Sequence, residues 1–506
     1  MGSTRSNFER VAGGSVKTPL LTRSRAAYVR PVTPKRISSM TLQSDIDEVE
    51  AIVASARAAQ TAYEANGSQI RYDRAAQAAA WAIMEPTRNR TLAELAVETT
   101  GLGNVPDKIT KNHRKTLGLM RDLATAKTYG VVSDNADTGI TEIARPVGVV
   151  GAVVPSTNPA ATPANNIINA LKCGNAIVLS PSPKGVPSCE RLLEYIYAEF
   201  DKIGEDKALV QMVQGRGSKE KTQRLLEISD VIVVTGSQNN VKRAYTSGTP
   251  ALAVGAGNVT VIVDETADLD AAAQKITASK TFDNATSCSS ENAIVVVDAV
   301  YDDFVAAMAR AGGALIKDEG PIVAKLWPDG HLNRSVIAQD ADKMIAALGM
   351  QGDVPADTKF LAVETTGVGP DHPLSGEKLS RVAAFYRATD FEAALDRVDQ
   401  IMAYQGAGHS VGLHSMDDAR ALQIGMRIPT CRVIVNQAHT FATGGSFNNG
   451  MPFSLSMGCG SWGGNSIDDN VHWKHFMQTT KIVREIPVRE PKVEDIFSDY
   501  WAAAGQ

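Results

Sequence analysis

The spacing of apolar positions changes character partway along the 506-residue chain. Ile46, Val49, Ile52, Val53 and Ala56 fall on one helical face, which predicts a helix beginning near Ser44. Helical patterns continue over residues 74–84 and 90–99, until Gly101, Gly103 and Pro106 interrupt them. Residues 129–144 mix alternation with turn residues and read as a protruding hairpin. Beyond them the apolar runs become short, continuous and rich in valine and isoleucine: 147–154, 175–180, 208–213, 230–235 and 259–263. Helical stretches at 165–172 and 190–203 separate the first three runs. Strands alternating with helices predict a doubly wound parallel sheet covered on both faces, with 259–263 as its fifth strand. A second alternation follows, with helices at 270–280, 301–311 and 391–398 and strands at 292–297, 410–413 and 433–436. The expected fold is therefore α/β in two units, 41–264 and 265–436, with a C-terminal segment over 437–506.

Composition narrows the class. A hydrophobic share of 43% with 21% charged residues suits a soluble protein with a large core. The net charge of -5 gives no reason to expect nucleic acid as a partner. Cys173, Cys189, Cys288, Cys431 and Cys459 are scattered, without a C-x-x-C pair. That argues against a disulfide framework or zinc site and for a reducing, cytoplasmic setting. His472 and His475 read as packing residues, and no metal is expected. No run approaches the roughly 18 apolar residues of a membrane span. Residues 1–36 carry eight Lys or Arg against one Glu and lack the apolar segment of a secretory signal. Residues 1–40 read as a basic, flexible extension.

Candidate chemistry centres on Phe-Asp-Asn-Ala-Thr-Ser-Cys-Ser-Ser, residues 282–290, where Cys288 lies among small polar residues just before a β-branched run. A thiol on a tight loop feeding a strand suits a nucleophile, although many free cysteines are merely small buried hydrophobes. The loop after the first strand is Pro155-Ser156-Thr157-Asn158-Pro159. Two prolines restrict Asn158, which suits a fixed hydrogen-bond donor, and a turn closed by an Asx hydrogen bond explains it equally well. Thr235-Gly236-Ser237 follows a strand and precedes a helix, so its amides suit a phosphate. Gly255-Ala256-Gly257-Asn258 would admit a ligand close to the backbone. The dinucleotide fingerprint G-x-G-x-x-G is missing after Val154.

Three strings in order carry a family resemblance: Val254-Gly-Ala-Gly-Asn-Val-Thr-Val-Ile-Val-Asp-Glu-Thr-Ala-Asp268, Lys280-Thr-Phe-Asp-Asn-Ala-Thr-Ser-Cys288 and Gly458-Cys-Gly-Ser-Trp-Gly-Gly-Asn-Ser466. With them the chain, from about residue 42 to about 490, resembles the aldehyde dehydrogenase superfamily. Within it the chain is similar to the coenzyme A-acylating branch, the aldehyde half of bifunctional aldehyde–alcohol dehydrogenase and its stand-alone relatives. The resemblance implies a Rossmann-like NAD(P)-binding domain, a catalytic domain and an oligomerisation hairpin. It makes Cys288 the nucleophile, forming a thioester, and Asn158 an oxyanion donor. It puts Ser156, Thr157, Ser180, Ser182, Gly236, Ser237, Gly255, Gly257 and Glu377 at the cofactor, which would be NAD or NADP, with Glu377 on the nicotinamide ribose. Cys459 reads as packing.

One departure bears on mechanism. Hydrolytic members carry Glu-Leu-Gly-Gly where this chain has Val254-Gly255-Ala256-Gly257. Without that carboxylate a thioester reacts slowly with water while a thiol can still attack, so coenzyme A is the expected acyl acceptor. The expected substrate is a short aldehyde, acetaldehyde or sulfoacetaldehyde; the latter needs a cationic or amide-rich pocket. His439, Thr440 and Asn448, with Ser446 and Asn449, lie in a segment suited to its mouth, and Lys111 or Arg114 would add charge. A hydrolytic enzyme, a phosphorylating semialdehyde dehydrogenase and a non-catalytic assembly subunit are the alternatives. Resemblance further implies a homodimer or homotetramer through 129–144 and a strand near 480–488, and the basic extension would serve as a docking peptide if the protein sits in a bacterial microcompartment.

Overall fold

A computed structural model describes residues 39–215 and 218–505. The basic extension expected over 1–40 lies outside the described residues except for its last two positions. All six residues of Val149–Val154 are buried, as expected of a strand covered on both faces. It is central in a five-stranded parallel sheet ordered Val210–Met212, Ala176–Pro181, Val149–Val154, Val231–Thr235, Ala251–Val254. The chain builds outward on one side of Val149–Val154, then returns to its other side. That reversal opens a crevice at the carboxyl ends of Val149–Val154 and Val231–Thr235. The loops bearing Asn158 and Ser237 leave the sheet there.

A seven-stranded parallel sheet forms the second unit, ordered Gly313–Ile316, Phe360–Glu364, Val382–Ala388, Glu291–Val297, Val259–Val263, Val411–His414, Val433–Val435. Here the structure corrects the expectation that 259–263 closes the first sheet. All five residues of Val259–Val263 are buried, and two parallel neighbours flank the strand. A place at the edge of the first sheet would leave one side of it unpaired. The shorter, half-covered Ala251–Val254 takes that edge instead. Residues 255–258 therefore cross from one unit to the other, anchored where Asn258 Nδ2 donates to Ser375 O at 2.7 Å.

The helix Val105–Leu123 did not stand out in the apolar pattern, because lysines occupy much of its inner face. Lys108, Lys111 and Lys115 are buried at spacings of three and four. Pro106 opens this helix rather than ending an earlier one, and Asn104 caps it by accepting from Asp107 N. The hairpin Gly130–Asn135 and Ile140–Pro146 is joined antiparallel by Met477–Val483, forming a separate three-stranded sheet.

Candidate active site

Cys288 follows a segment of unusual backbone. Asp283, Asn284 and Ala285 have φ of 48°, 54° and 61°, three consecutive non-glycine residues in the left-handed region. Such residues cost about 1–3 kcal/mol each and persist only where their surroundings over-determine them. Asp283 provides most of that determination. Its N–H donates to Asp107 Oδ2 at 2.8 Å, and its Oδ1 accepts from Asn104 N at 3.0 Å. Its Oδ2 accepts from Lys108 Nζ at 3.0 Å, Lys111 Nζ at 2.5 Å and Thr286 Oγ1 at 2.8 Å. Gly103 makes the approach feasible: at φ 76° a Cβ there would stand 1.9 Å from Asp283 Oδ1. Asn284 accepts from Arg381 Nε at 3.0 Å and donates to Asp340 Oδ1 at 2.9 Å.

The same lysines reach the Asn158 loop. Lys108 Nζ donates to Thr157 O at 3.1 Å, and Lys111 Nζ to Asn158 Oδ1 at 2.9 Å. The Cys288 loop and the loop at the end of the first central strand are thus joined through one helix. Burial pushes Lys108 down to about 8, opposed by Asp283. The two ammonium groups outweigh desolvation at Asp283 and hold its carboxyl below the usual range.

Cys288 Sγ lies 3.3 Å from His409 Nε2. His409 did not emerge from the sequence, being 121 residues away at the end of the turn Gly406-Ala407-Gly408. The readable signal was a His-Ser pair entering a buried strand directly after two glycines. His409 Nδ1 is 2.8 Å from Ser410 Oγ, which is 2.8 Å from His439 Nε2. For Nε2 to accept the thiol proton, Nδ1 carries the hydrogen and donates to Ser410, whose own hydrogen passes to His439. Burial pushes the Cys288 thiol up to about 12, with Glu377 adding to the rise, and pushes His409 down to about 3, reinforced by Arg432. At rest both are neutral.

A cavity of about 560 Å³ opens on Cys288. Asn158, Ser156, Thr157, Ser180, Ser182, Gly236, Ser237, Gly255, Glu377 and Thr440 all line it. Gly257 does not; a Cβ there would stand 2.4 Å from the Cys288 carbonyl oxygen, so the residue supports the Cys288 loop from behind. Nor do four of the five residues expected at the mouth, His439, Ser446, Asn448 and Asn449. His439 is buried behind the cavity against Ser410, and Asn448 is exposed, accepting from Ser446 Oγ at 2.5 Å. The lining among the described residues has five cations, Lys111, Arg114, Lys115, Lys219 and Arg243, and one carboxylate, Glu377. Burial lifts Glu377 to about 8, leaving it protonated at neutral pH and a poor base.

The cleft suits an anionic dinucleotide. Ser182 Oγ is buried without a hydrogen-bond partner among the described residues. The helix Gln238–Tyr245 begins at Ser237 without a side-chain cap, which leaves its first amides open toward the cavity.

The profile of the aldehyde dehydrogenase family matches residues 21–323. The chain is 55% identical to an acylating sulfoacetaldehyde dehydrogenase of Cupriavidus necator, over 92% of this chain and 94% of that protein. The chain belongs to the aldehyde dehydrogenase family. Within it, this aldehyde dehydrogenase is of the coenzyme A-acylating branch. Its structure is similar to an acetylating aldehyde dehydrogenase from Geobacillus thermoglucosidasius, with a TM-score of 0.84, 32% identity and coverage of 89% and 99% of the two chains. It is also similar to a propionaldehyde dehydrogenase from Rhodopseudomonas palustris solved with bound coenzyme A and an acylated cysteine. That likeness has a TM-score of 0.76, 25% identity and coverage of 86% and 97%.

The half-buried thiol predicts a pH profile. A thiol held near 12 is almost wholly protonated at neutral pH, so the thiolate fraction rises about tenfold per pH unit. Alkylation of Cys288 by iodoacetamide in the free enzyme is expected to follow that slope from pH 7 to 10 without a plateau. Peptide mapping of the labelled cysteine checks this, and a plateau below pH 9 would contradict it.

Proposed function

We propose that this enzyme oxidises sulfoacetaldehyde to its coenzyme A thioester through a covalent intermediate on Cys288, reversibly, with NAD or NADP. The observation that carries the reading is the Cys288–His409 pair, opening on a cavity rich in cations and without an ionised carboxylate at neutral pH. Cys288 Sγ attacks the aldehyde carbonyl carbon as His409 Nε2 takes the thiol proton, so neither group is charged in isolation. Asn158 Nδ2 and the Cys288 N–H donate to the oxyanion. A nicotinamide dinucleotide, when bound, would supply the hydride acceptor needed for this adduct to become a thioester. Ser182, the amides at Gly236 and Ser237, and Glu377 are the groups that would hold it. Lys219 and Arg243 line the cavity with no carboxylate opposite them, which supports accepting a 2′-phosphate as well as NAD. Before the second half His409 gives its proton up to solvent; it then takes the proton of the coenzyme A thiol, which attacks the thioester and expels Cys288, and returns that proton to the leaving thiolate.

A sulfonate needs donors that the protein does not already use. Arg114 and Lys115 supply them. Arg114 Nη2 donates to Ser446 Oγ at 2.7 Å and both terminal nitrogens donate to Phe441 O at 3.4 Å, which leaves Nε–H and one Nη1 hydrogen free, and the group sits 5.0 Å from the Phe441 ring centre. Lys115 Nζ is held by Gly444 O and faces the cavity. Arg114 also borders a second cavity, of about 530 Å³, walled by Arg90, His113 and Phe447, which supports entry of an anion from that side. For assembly, Val131, Ile482 and Val483 on the outer strands of the three-stranded sheet are exposed and support a homodimer or homotetramer. Among the described residues no helix is long and apolar enough to cross a membrane. We place the enzyme in the cytoplasm, with the basic extension as a docking segment if it is housed in a microcompartment.

Cofactor reduction from sulfoacetaldehyde is expected to be sustained only with coenzyme A, and Cys288→Ala is expected to abolish it while retaining cofactor binding. Equal sustained rates without coenzyme A would overturn the acylating reading. Replacing Arg114 by Leu removes a charged donor, so KM for sulfoacetaldehyde is expected to rise about 10- to 100-fold with KM for acetaldehyde little changed. Equal effects on both aldehydes would remove Arg114 from sulfonate recognition. Burial, then Arg114 and Lys111, bring Lys115 down to about 7. Its charge is present below that pH and lost above it. KM for sulfoacetaldehyde is therefore expected to be flat below about pH 7 and to rise above it, while KM for acetaldehyde stays level.

A further inference from the structure

Asn158 has two ends, and only its nitrogen can donate to an oxyanion. The loop does not by itself decide which end faces the substrate. Lys111 does. An ammonium has three hydrogens and no acceptor, so any Asn atom in contact with it is the oxygen. Lys111 Nζ has three acceptors: Asp283 Oδ2 at 2.5 Å, Asn158 Oδ1 at 2.9 Å and Thr286 Oγ1 at 3.0 Å. Every hydrogen is used, and the ammonium cannot turn away without breaking a charged contact in the interior. Asn158 Nδ2 makes no hydrogen bond among the described residues, and both Asn158 and Cys288 line the cavity.

We propose that Lys111 is a positioning residue: it fixes the Asn158 carboxamide with its nitrogen toward the reacting carbonyl and, through Asp283, sets that nitrogen's distance from the Cys288 loop. Two features make the helix a spacer rather than a prop. Lys108, one turn before, fixes the backbone of the same loop through Thr157 O while sharing Asp283 Oδ2. Thr286, two residues before the nucleophile, contacts both Lys111 Nζ and Asp283 Oδ2. The oxyanion donor and the nucleophile are thus referred to one carboxylate oxygen. Without Lys111 the carboxamide is free to present its oxygen, and an oxygen facing a developing oxyanion opposes the reaction.

This inference rests on the thioester mechanism, and a double-mutant cycle between Lys111→Met and Asn158→Ala separates the two. In the otherwise native enzyme Lys111→Met is expected to lower kcat about 10- to 100-fold, with KM for aldehyde and coenzyme A changed less than about twofold. In the Asn158→Ala background, where there is no carboxamide to orient, the same change is expected to cost less than about twofold. An equal loss in both backgrounds would overturn the assignment, because Lys111 would then act independently of Asn158. A native-background kcat within about threefold of the parent would overturn it too. If Lys111→Met does not fold, the cycle is read with Lys111→Arg, which keeps a cation against Asp283 but cannot place one nitrogen on all three acceptors. The same criteria then apply. Residual turnover in Cys288→Ala faults the thioester reading itself, whereas additivity in the cycle faults Lys111 alone.

Discussion

Asp283 is a fully buried carboxylate held between two buried ammonium groups, and the active site takes its shape from that pairing. An isolated charge at such depth would cost several kcal/mol, so the three groups stay in the interior only together. Their geometry is correspondingly exact in what it joins. One lysine reaches the backbone of the Asn158 loop, the other its side chain, and the carboxylate anchors the left-handed segment that delivers Cys288. Two units with separate sheets thereby present Asn158 and Cys288 to one cavity.

Burial also sets the resting chemistry. The same desolvation that raises the Cys288 thiol lowers His409 and raises Glu377, so the site waits with three neutral groups. A neutral thiol is protected from adventitious alkylation and oxidation. A protonated Glu377 leaves only His409 beside the thioester, pushed down to about 3 by burial, a base that would serve a thiol far better than water. The residues that would have supplied a carboxylate, 254–257, instead end the strand Ala251–Val254 and open the crossing between the two sheets, where Gly257 lies against the Cys288 carbonyl. Selection of a thiol acceptor over water thus follows from what the crossing omits.

The two-unit α/β plan was legible because buried parallel strands are written as continuous β-branched runs, as in Val149–Val154 and Glu291–Val297. Cys288 and Asn158 were legible because each sits in a short string that departs from ordinary loop composition. The sheet that Val259–Val263 joins was not, since a fully apolar run records burial and not which neighbour provides it. The helix Val105–Leu123 was hidden because its working face carries lysines at positions where the apolar pattern looks for leucine. His409 was hidden for a different reason: its partner is reached only by folding. His439 is polar and close in sequence to Thr440, yet it faces Ser410 while Thr440 faces the cavity, a difference decided by one step along a short helix.

The central claim is that Cys288 carries an acyl group that water removes slowly and a thiol removes quickly. Intact-protein mass spectrometry after mixing the enzyme with sulfoacetaldehyde and oxidised cofactor, without coenzyme A, tests it most directly. One acyl adduct per chain is expected, mapped to Cys288, persisting in buffer and disappearing on addition of coenzyme A. An adduct that never forms, or one that buffer discharges as fast as coenzyme A does, would contradict it.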